Sequence, residues 1–147
     1  MNVLVVDDTP FMRKVLGDIL ASDGHRVVGE AGNGLEAVDM YKELNPDVVT
    51  MDVVMPQMDG ITAMSRIFDE DPSAVIIVCS ALNQKNLIKK ALKMGAWDYI
   101  VKPFTEDRVL EVFHSLEILK RHVDSRGRGF NILREDPEND RRVFLGV

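Results

Sequence analysis

Short β-branched, apolar runs alternate five times with longer stretches of helical period, which restricts the chain to strands in parallel joined by crossover helices. The strands read as Val3 to Val6, Arg26 to Ala31, Val48 to Met51, Val75 to Cys79 and Tyr99 to Val101. Most are continuously apolar, as strands covered on both faces should be. Arg26 to Ala31 is more mixed and suits an edge.

The intervening segments carry helix punctuation. Thr9 is placed to cap the first helix with Pro10 in its first turn, and Phe11, Val15, Leu16 and Ile19 are expected to face the sheet. The second helix follows Asn33-Gly34, carries Leu35, Val38 and Tyr41 in register, and stops at Asn45-Pro46. The third follows Asp59-Gly60 with Ile61, Met64 and Ile67 at helical spacing, and ends at Asp71-Pro72. The fourth runs from about Gln84 to Met94 with Leu87, Ile88, Ala91 and Leu92 inward and Gly95 closing it; the fifth runs from about Glu106 to His122. The expected fold class is α/β: a doubly wound, five-stranded parallel sheet of order 2-1-3-4-5, in preference to the Rossmann order, with right-handed crossovers and helices on both faces.

Size and charge narrow the function classes. A chain of 147 residues has room for one domain, here residues 1–123, and residues 124–147 form an extension. That extension balances Arg126, Arg128, Arg134, Arg141 and Arg142 against Asp124, Glu135, Asp136, Glu138 and Asp140. It reads as a flexible Arg-Gly-Arg-Gly link followed either by a small hairpin, Phe130 to Leu133 against Val143 to Val147, or by a disordered tail. A net charge of -6 disfavours direct nucleic-acid binding, and no apolar run approaches the roughly 20 residues of a membrane span, so a cytoplasmic protein is expected. Cys79, in an apolar run, reads as a small hydrophobe rather than a reactive thiol. His25, His114 and His122 read as surface residues without zinc-ligand spacing.

Four polar features fall at the C-terminal ends of strands one, three, four and five: Asp7-Asp8, Asp52, Ser80 and Lys102. In a doubly wound sheet these ends surround the ligand crevice, so the carboxylates should converge. Unit charges at ~4 Å repel by ~4 kcal/mol at an effective dielectric of ~20. Mg2+ is the cation best suited to offset that, with Lys102 as a second positive group. Asp52, ending an apolar strand, is the candidate nucleophile toward a phosphoryl group; Asp7 and Asp8 are the candidate metal pair, and Ser80 offers a hydroxyl. Singly, each residue has an ordinary structural role open to it: Asp7-Asp8 as helix caps, Asp52 as a turn former, Ser80 and Lys102 as solvated strand-end groups.

LVVDD at Leu4 to Asp8, DVVTMDVVMPQMDG at Asp47 to Gly60, CSA at Cys79 to Ala81 and YIVKPF at Tyr99 to Phe104 resemble response-regulator receiver domains, in order and spacing, over about Met1 to His122. The resemblance implies a flavodoxin-like fold. It implies that Asp52 accepts phosphate from a histidine kinase, that Asp7, Asp8, Asp52 and the backbone carbonyl of Val54 hold Mg2+, and that Ser80 and Lys102 contact the phosphoryl group. It further implies a cis Lys102-Pro103 bond, where an ordinary trans turn is the alternative, and a switch through Ser80 and Tyr99. That switch would reshape the face of helix four, strand five and helix five toward a downstream protein. Trp97, beside this face, reads as a partner contact or as partly buried under helix five. Val54 and Leu82, two residues beyond Asp52 and Ser80, are apolar and cannot orient an attacking water, so slow loss of phosphate is expected. The implied protein is a monomer or weak dimer and not an enzyme toward external substrates. The CSALNQKNLIKKALKMGAWDYIVKPF stretch is similar to stand-alone chemotaxis-type receivers; a module of a longer regulator and a metal-dependent phosphotransferase or phosphatase are the other readings.

Overall fold

The computed structural model describes the backbone of residues 1–126, 130–133 and 143–146 and the side chains of residues 1–122. Strands β1 (Asn2–Val6), β2 (Arg26–Ala31), β3 (Val48–Asp52), β4 (Ile76–Ala81) and β5 (Asp98–Lys102) form one parallel sheet in the order β2-β1-β3-β4-β5. Helices α1 (Pro10–Ser22), α2 (Gly34–Leu44), α3 (Gly60–Glu70), α4 (Lys85–Met94) and α5 (Glu106–Arg126) connect and follow them. This is the flavodoxin-like order expected from the alternation. Among the described residues no helix is long and apolar enough to cross a membrane.

Side chains on a strand point alternately to the two sheet faces, so each inner strand feeds two cores. Leu4, Val6, Val49, Met51, Ile76 and Val78 pack with α2 and α3 and with Ala91 of α4. Val3, Val5, Val48, Ile77 and Cys79 pack with Leu16 and Leu20 of α1 and with Val109, Val112, Phe113 and Leu116 of α5. Strands sandwiched this way have no polar face, which is why they read as unbroken apolar runs.

Helix starts and ends follow local chemistry. Asn33 accepts a hydrogen bond from the Glu36 N–H and Asp59 one from the Thr62 N–H, satisfying first-turn donors of α2 and α3. Asn45, in the left-handed region at φ 43°, and Gly95 at φ 138° close α2 and α4. Thr9 occupies the cap position of α1 but its side chain does not cap. Its N–H and its hydroxyl both donate to Asp7 Oδ1, at 2.9 and 2.8 Å, because a carboxylate is a stronger acceptor than the alternatives within reach.

Several side-chain assignments differ from the sequence reading. Phe11 is 74% exposed, since the buried stripe of α1 runs through Leu16 and Leu20 and Phe11 lies ~140° around the helix from Leu16. Leu35 is likewise exposed, on the flank of the stripe Gly34, Ala37, Val38 and Tyr41. Of its two readings, Trp97 follows burial under α5, more completely than expected, and not the partner contact. His25 is also buried, its ring against Phe113. Its Nδ1 lies 3.1 Å from the N-terminal amine and its Nε2 faces Asp23 and Glu117 at 3.1 and 3.2 Å. An ammonium can only donate, so Nδ1 accepts and Nε2–H bridges the two carboxylates, tying the α1–β2 turn to α5.

Beyond α5, Phe130–Leu133 (β6) and Val143–Gly146 (β7) pair antiparallel. The Gly-rich link at residues 127–129 and the turn-like Glu135 to Asp140 lie outside the described residues.

Candidate functional site

Parallel strands all end on the same side, and here they end in polar residues. Asp7 and Asp8 follow β1, Asp52 closes β3, Ser80 lies next to the end of β4 and Lys102 closes β5. Pairing of Asp52 with Cys79 and of Ala81 with Lys102 keeps those ends level across the sheet. Gly60 lets the next helix start directly against β3: a Cβ there would stand 2.0 Å from the Asp52 carbonyl oxygen.

Carboxylate oxygens of Asp7, Asp8 and Asp52 lie within 4.8 Å of one another. Lys102 Nζ reaches between two of them, 2.5 Å from Asp7 Oδ2 and 3.2 Å from Asp52 Oδ2. Three carboxylates against one ammonium leave two negative charges in excess. Asp7 and Asp52 are buried while Asp8 is exposed, so the cluster opens toward solvent at Asp8.

The electrostatics divide the two buried acids. Burial pushes the Asp52 carboxyl up to about 6, against the pull of Lys102 and with the repulsion of Asp7 and Asp8. Burial acts on Asp7 in the same sense, but hydrogen bonds from Lys102 and Thr9 outweigh it and hold that carboxyl below its ordinary value. Lys102 is held above its ordinary value because its bonds to Asp7 and Asp52 outweigh the desolvation that would lower it. The ammonium therefore stays charged.

The donor set fits a hard divalent cation. It is entirely carboxylate oxygen, its uncompensated charge is two, and Cys79 beside it is a buried thiol pushed up to about 12 by desolvation, which offers no soft thiolate ligand. Asp7, Asp8 and Asp52 would hold such an ion. Val54, second in the loop after β3, has a side chain 52% exposed, and Leu82 is 66% exposed. Neither side chain brings a polar atom to the site.

Ser80 is fully buried, and its hydroxyl donates to Gln84 Oε1 at 2.6 Å. Tyr99 is half-buried, its ring packed against the core on the α2–α4 side and covered by the Arg108 guanidinium at 5.7 Å from the ring centre. Arg108 also donates to the Tyr99 carbonyl at 2.9 Å. A groove of about 670 Å³, lined by Tyr99, Pro103, Phe104, Arg108, Glu111 and Ser115 among others, runs along β5 and α5. The Lys102-Pro103 peptide bond is cis.

The sequence reading missed three supporting residues: Thr9, which bonds Asp7; Arg13, whose Nη1 donates to the Asp7 carbonyl at 2.7 Å while its Nε pairs with Glu30; and Gln84. Arg13 lies six residues from Asp7 and Gln84 four from Ser80, separations that acquire meaning only once the turn geometry is known.

Comparison with known proteins agrees with this geometry. Residues 3–114 match the family model of the response regulator receiver domain. The chemotaxis protein CheY of Thermotoga maritima is 54% identical over 115 residues, covering 78% of this chain and 96% of that protein. The CheY of Bacillus subtilis is 53% identical over 113 residues, covering 77% and 94%. Among solved structures, a chain of the CheX-CheY-BeF3-Mg+2 complex from Borrelia burgdorferi superposes with a TM-score of 0.75 at 43% identity, covering 79% of this chain and 88% of that one.

Proposed function

Because this chain belongs to the response-regulator receiver family, we propose that it is a phosphorylation switch in which Asp52 accepts a phosphoryl group from a phosphohistidine of a histidine kinase. An Asp52 carboxylate oxygen attacks phosphorus, the N–P bond breaks, and the imidazole leaves with the electron pair. Asp7, Asp8, Asp52 and the Val54 carbonyl would hold Mg2+, which would neutralise charge on the phosphoryl oxygens. Lys102 provides the second positive charge from between Asp7 and Asp52. Ser80 donates its hydroxyl to a phosphoryl oxygen once the group is attached.

The observation that carries this reading is the buried Asp52 beside Lys102 in a carboxylate cluster with two uncompensated negative charges. Phosphorylation adds roughly -1.5 to -2 of charge and strong acceptors, which draws Ser80 inward and turns Tyr99 from beneath Arg108. The face of α4, β5 and α5, with its groove, then binds a downstream protein. The strength of the chemotaxis relatives favours a stand-alone chemotaxis-type receiver. A second reading is supported by the glutamate methylesterase of Syntrophomonas wolfei, 50% identical over 105 residues that make up 30% of its length: the same module can regulate a longer protein.

Incubation with acetyl phosphate and Mg2+, followed by intact mass measurement, tests the chemistry. One added phosphate on the wild type and none on Asp52→Asn, or on wild type with excess chelator, is the expected result. Modification that survives Asp52→Asn would refute the assignment.

A further inference from the structure

Ser80 has one hydroxyl proton, and in this structure that proton is committed. The 3-10 turn Leu82–Gln84 folds the Gln84 side chain back over the end of β4, where Oε1 accepts from the Ala81 N–H at 2.9 Å and from the Ser80 hydroxyl at 2.6 Å. The backbone N–H fixes which end of the amide faces inward, because only an oxygen can accept from it. That oxygen carries no hydrogen, so Ser80 must be the donor. A phosphoryl oxygen is also purely an acceptor. The Ser80–Gln84 bond and a Ser80–phosphoryl bond are therefore mutually exclusive.

We infer that Gln84 is a positioning residue that holds the Ser80 hydroxyl away from Asp52 in the resting protein, and that its grip sets how readily the site retains a phosphoryl group. This inference rests on the phosphoacceptor reading of Asp52. On phosphorylation the Ser80 O–H exchanges Gln84 Oε1 for a phosphoryl oxygen, and Oε1 keeps only the Ala81 N–H. One of the two bonds tying this turn to β4 is then lost. Gln84 directly precedes α4, so the exchange loosens the start of the helix that borders the proposed partner-binding face.

The test measures Mg2+-dependent beryllofluoride binding by calorimetry in wild type, Gln84→Met, Ser80→Ala and the double variant, with Ser80→Thr in both Gln84 backgrounds and Asp52→Asn as controls. Methionine keeps the length of glutamine without its carbonyl. With Ser80 present, Gln84→Met should tighten binding roughly threefold to tenfold, the equilibrium counterpart of one neutral hydrogen bond released. With Ser80→Ala the same change should have no effect, and Ser80→Thr, which restores a hydroxyl, should restore the gain. Gln84→Asn, one methylene too short to reach, substitutes for Gln84→Met should the latter fold poorly. An equal gain in both backgrounds, or no gain with the hydroxyl present, overturns the latch while leaving the Asp52 reading intact. Failure of the wild type to bind beryllofluoride, or undiminished binding by Asp52→Asn, removes both.

Discussion

Asp52 is asked to be buried and charged at once, and the two demands have a measurable cost. Its carboxyl titrates at about 6 instead of the ordinary 3.8, so the folded state favours the protonated form. For a raised carboxyl the stability contribution is fully present below the unfolded value, is lost as pH climbs through about 6, and stays lost above it. Asp52→Asn removes the ionised group, so in metal-free buffer at pH 7.5 the variant should be more stable by on the order of 1–3 kcal/mol, with the gap closing toward pH 4. Equal or lower stability at pH 7.5, measured by denaturant titration, would contradict the burial argument. Asp7 does not share this behaviour because it has the nearer contact with Lys102 and two further bonds from Thr9, which outweigh its burial, whereas Asp52 has Lys102 alone at 3.2 Å. The apolar neighbours carry a second expectation at this scale. Val54 and Leu82 cannot hold a water in line with the Asp52 phosphate, so Val54→Asn or Leu82→Glu, each adding a polar group that can orient one, should accelerate its decay measurably. Decay unchanged in both variants, followed with radiolabelled protein, would exclude it. Asp7, Asp8, Asp52, Ser80 and Lys102 could be named from sequence because the chain order places each at a strand end, whereas Thr9, Arg13 and Gln84 act through side-chain directions that no one-dimensional pattern encodes.

The strands were legible almost to their last residue because burial on both faces leaves an unbroken apolar signal. Their reading stopped short at the C-terminal ends of three strands, where Asp52 extends β3, Ser80 and Ala81 extend β4 and Lys102 extends β5, and β4 begins at Ile76 rather than Val75. Helical faces were less legible. In a first turn the apolar residue can sit off the stripe, as Phe11 and Leu35 do, and only the later turns of α1 and α2 fix the buried direction. The junction of β3 and α3 shows what a pattern cannot convey. Asp59-Gly60 signals a helix start, yet the need for glycine comes from a backbone crossing: a Cβ would meet the Asp52 carbonyl oxygen at 2.0 Å and its carbon at 2.9 Å. Those atoms are backbone and cannot rotate away. Gly60→Ala should therefore displace the start of α3 from β3 and destabilise the protein by about 1–3 kcal/mol, the usual range for overpacking. It should also slow phosphorylation of Asp52 by acetyl phosphate, since the crowded carbonyl belongs to that residue. A variant as stable and as reactive as the wild type would show that this junction yields more easily than its geometry implies.

At the scale of the whole molecule, the sheet separates two functions by its two ends. The C-terminal strand ends gather the carboxylates and Lys102; the opposite end is closed by His25, Asp23, Glu117 and the N-terminal amine, a polar clamp between the α1–β2 turn and α5. The sequence brought the carboxylates of the first end together and misread the second, because His25 and Glu117 are far apart in chain order and become neighbours only after α5 packs on the sheet. Among the described side chains the last fully buried core residue is Leu116, with Leu119 packed against it, and every residue proposed for the chemistry lies at or before Pro103. Removing residues 127–147 should leave the thermal midpoint within a few degrees of the full chain, a change below about 1 kcal/mol. Mg2+-dependent phosphorylation should likewise keep its one-to-one stoichiometry. A large drop in the midpoint would mean that the extension packs on the domain and contributes to its fold. Unchanged stability with altered phosphate lifetime would instead assign the extension a regulatory contact with the strand ends.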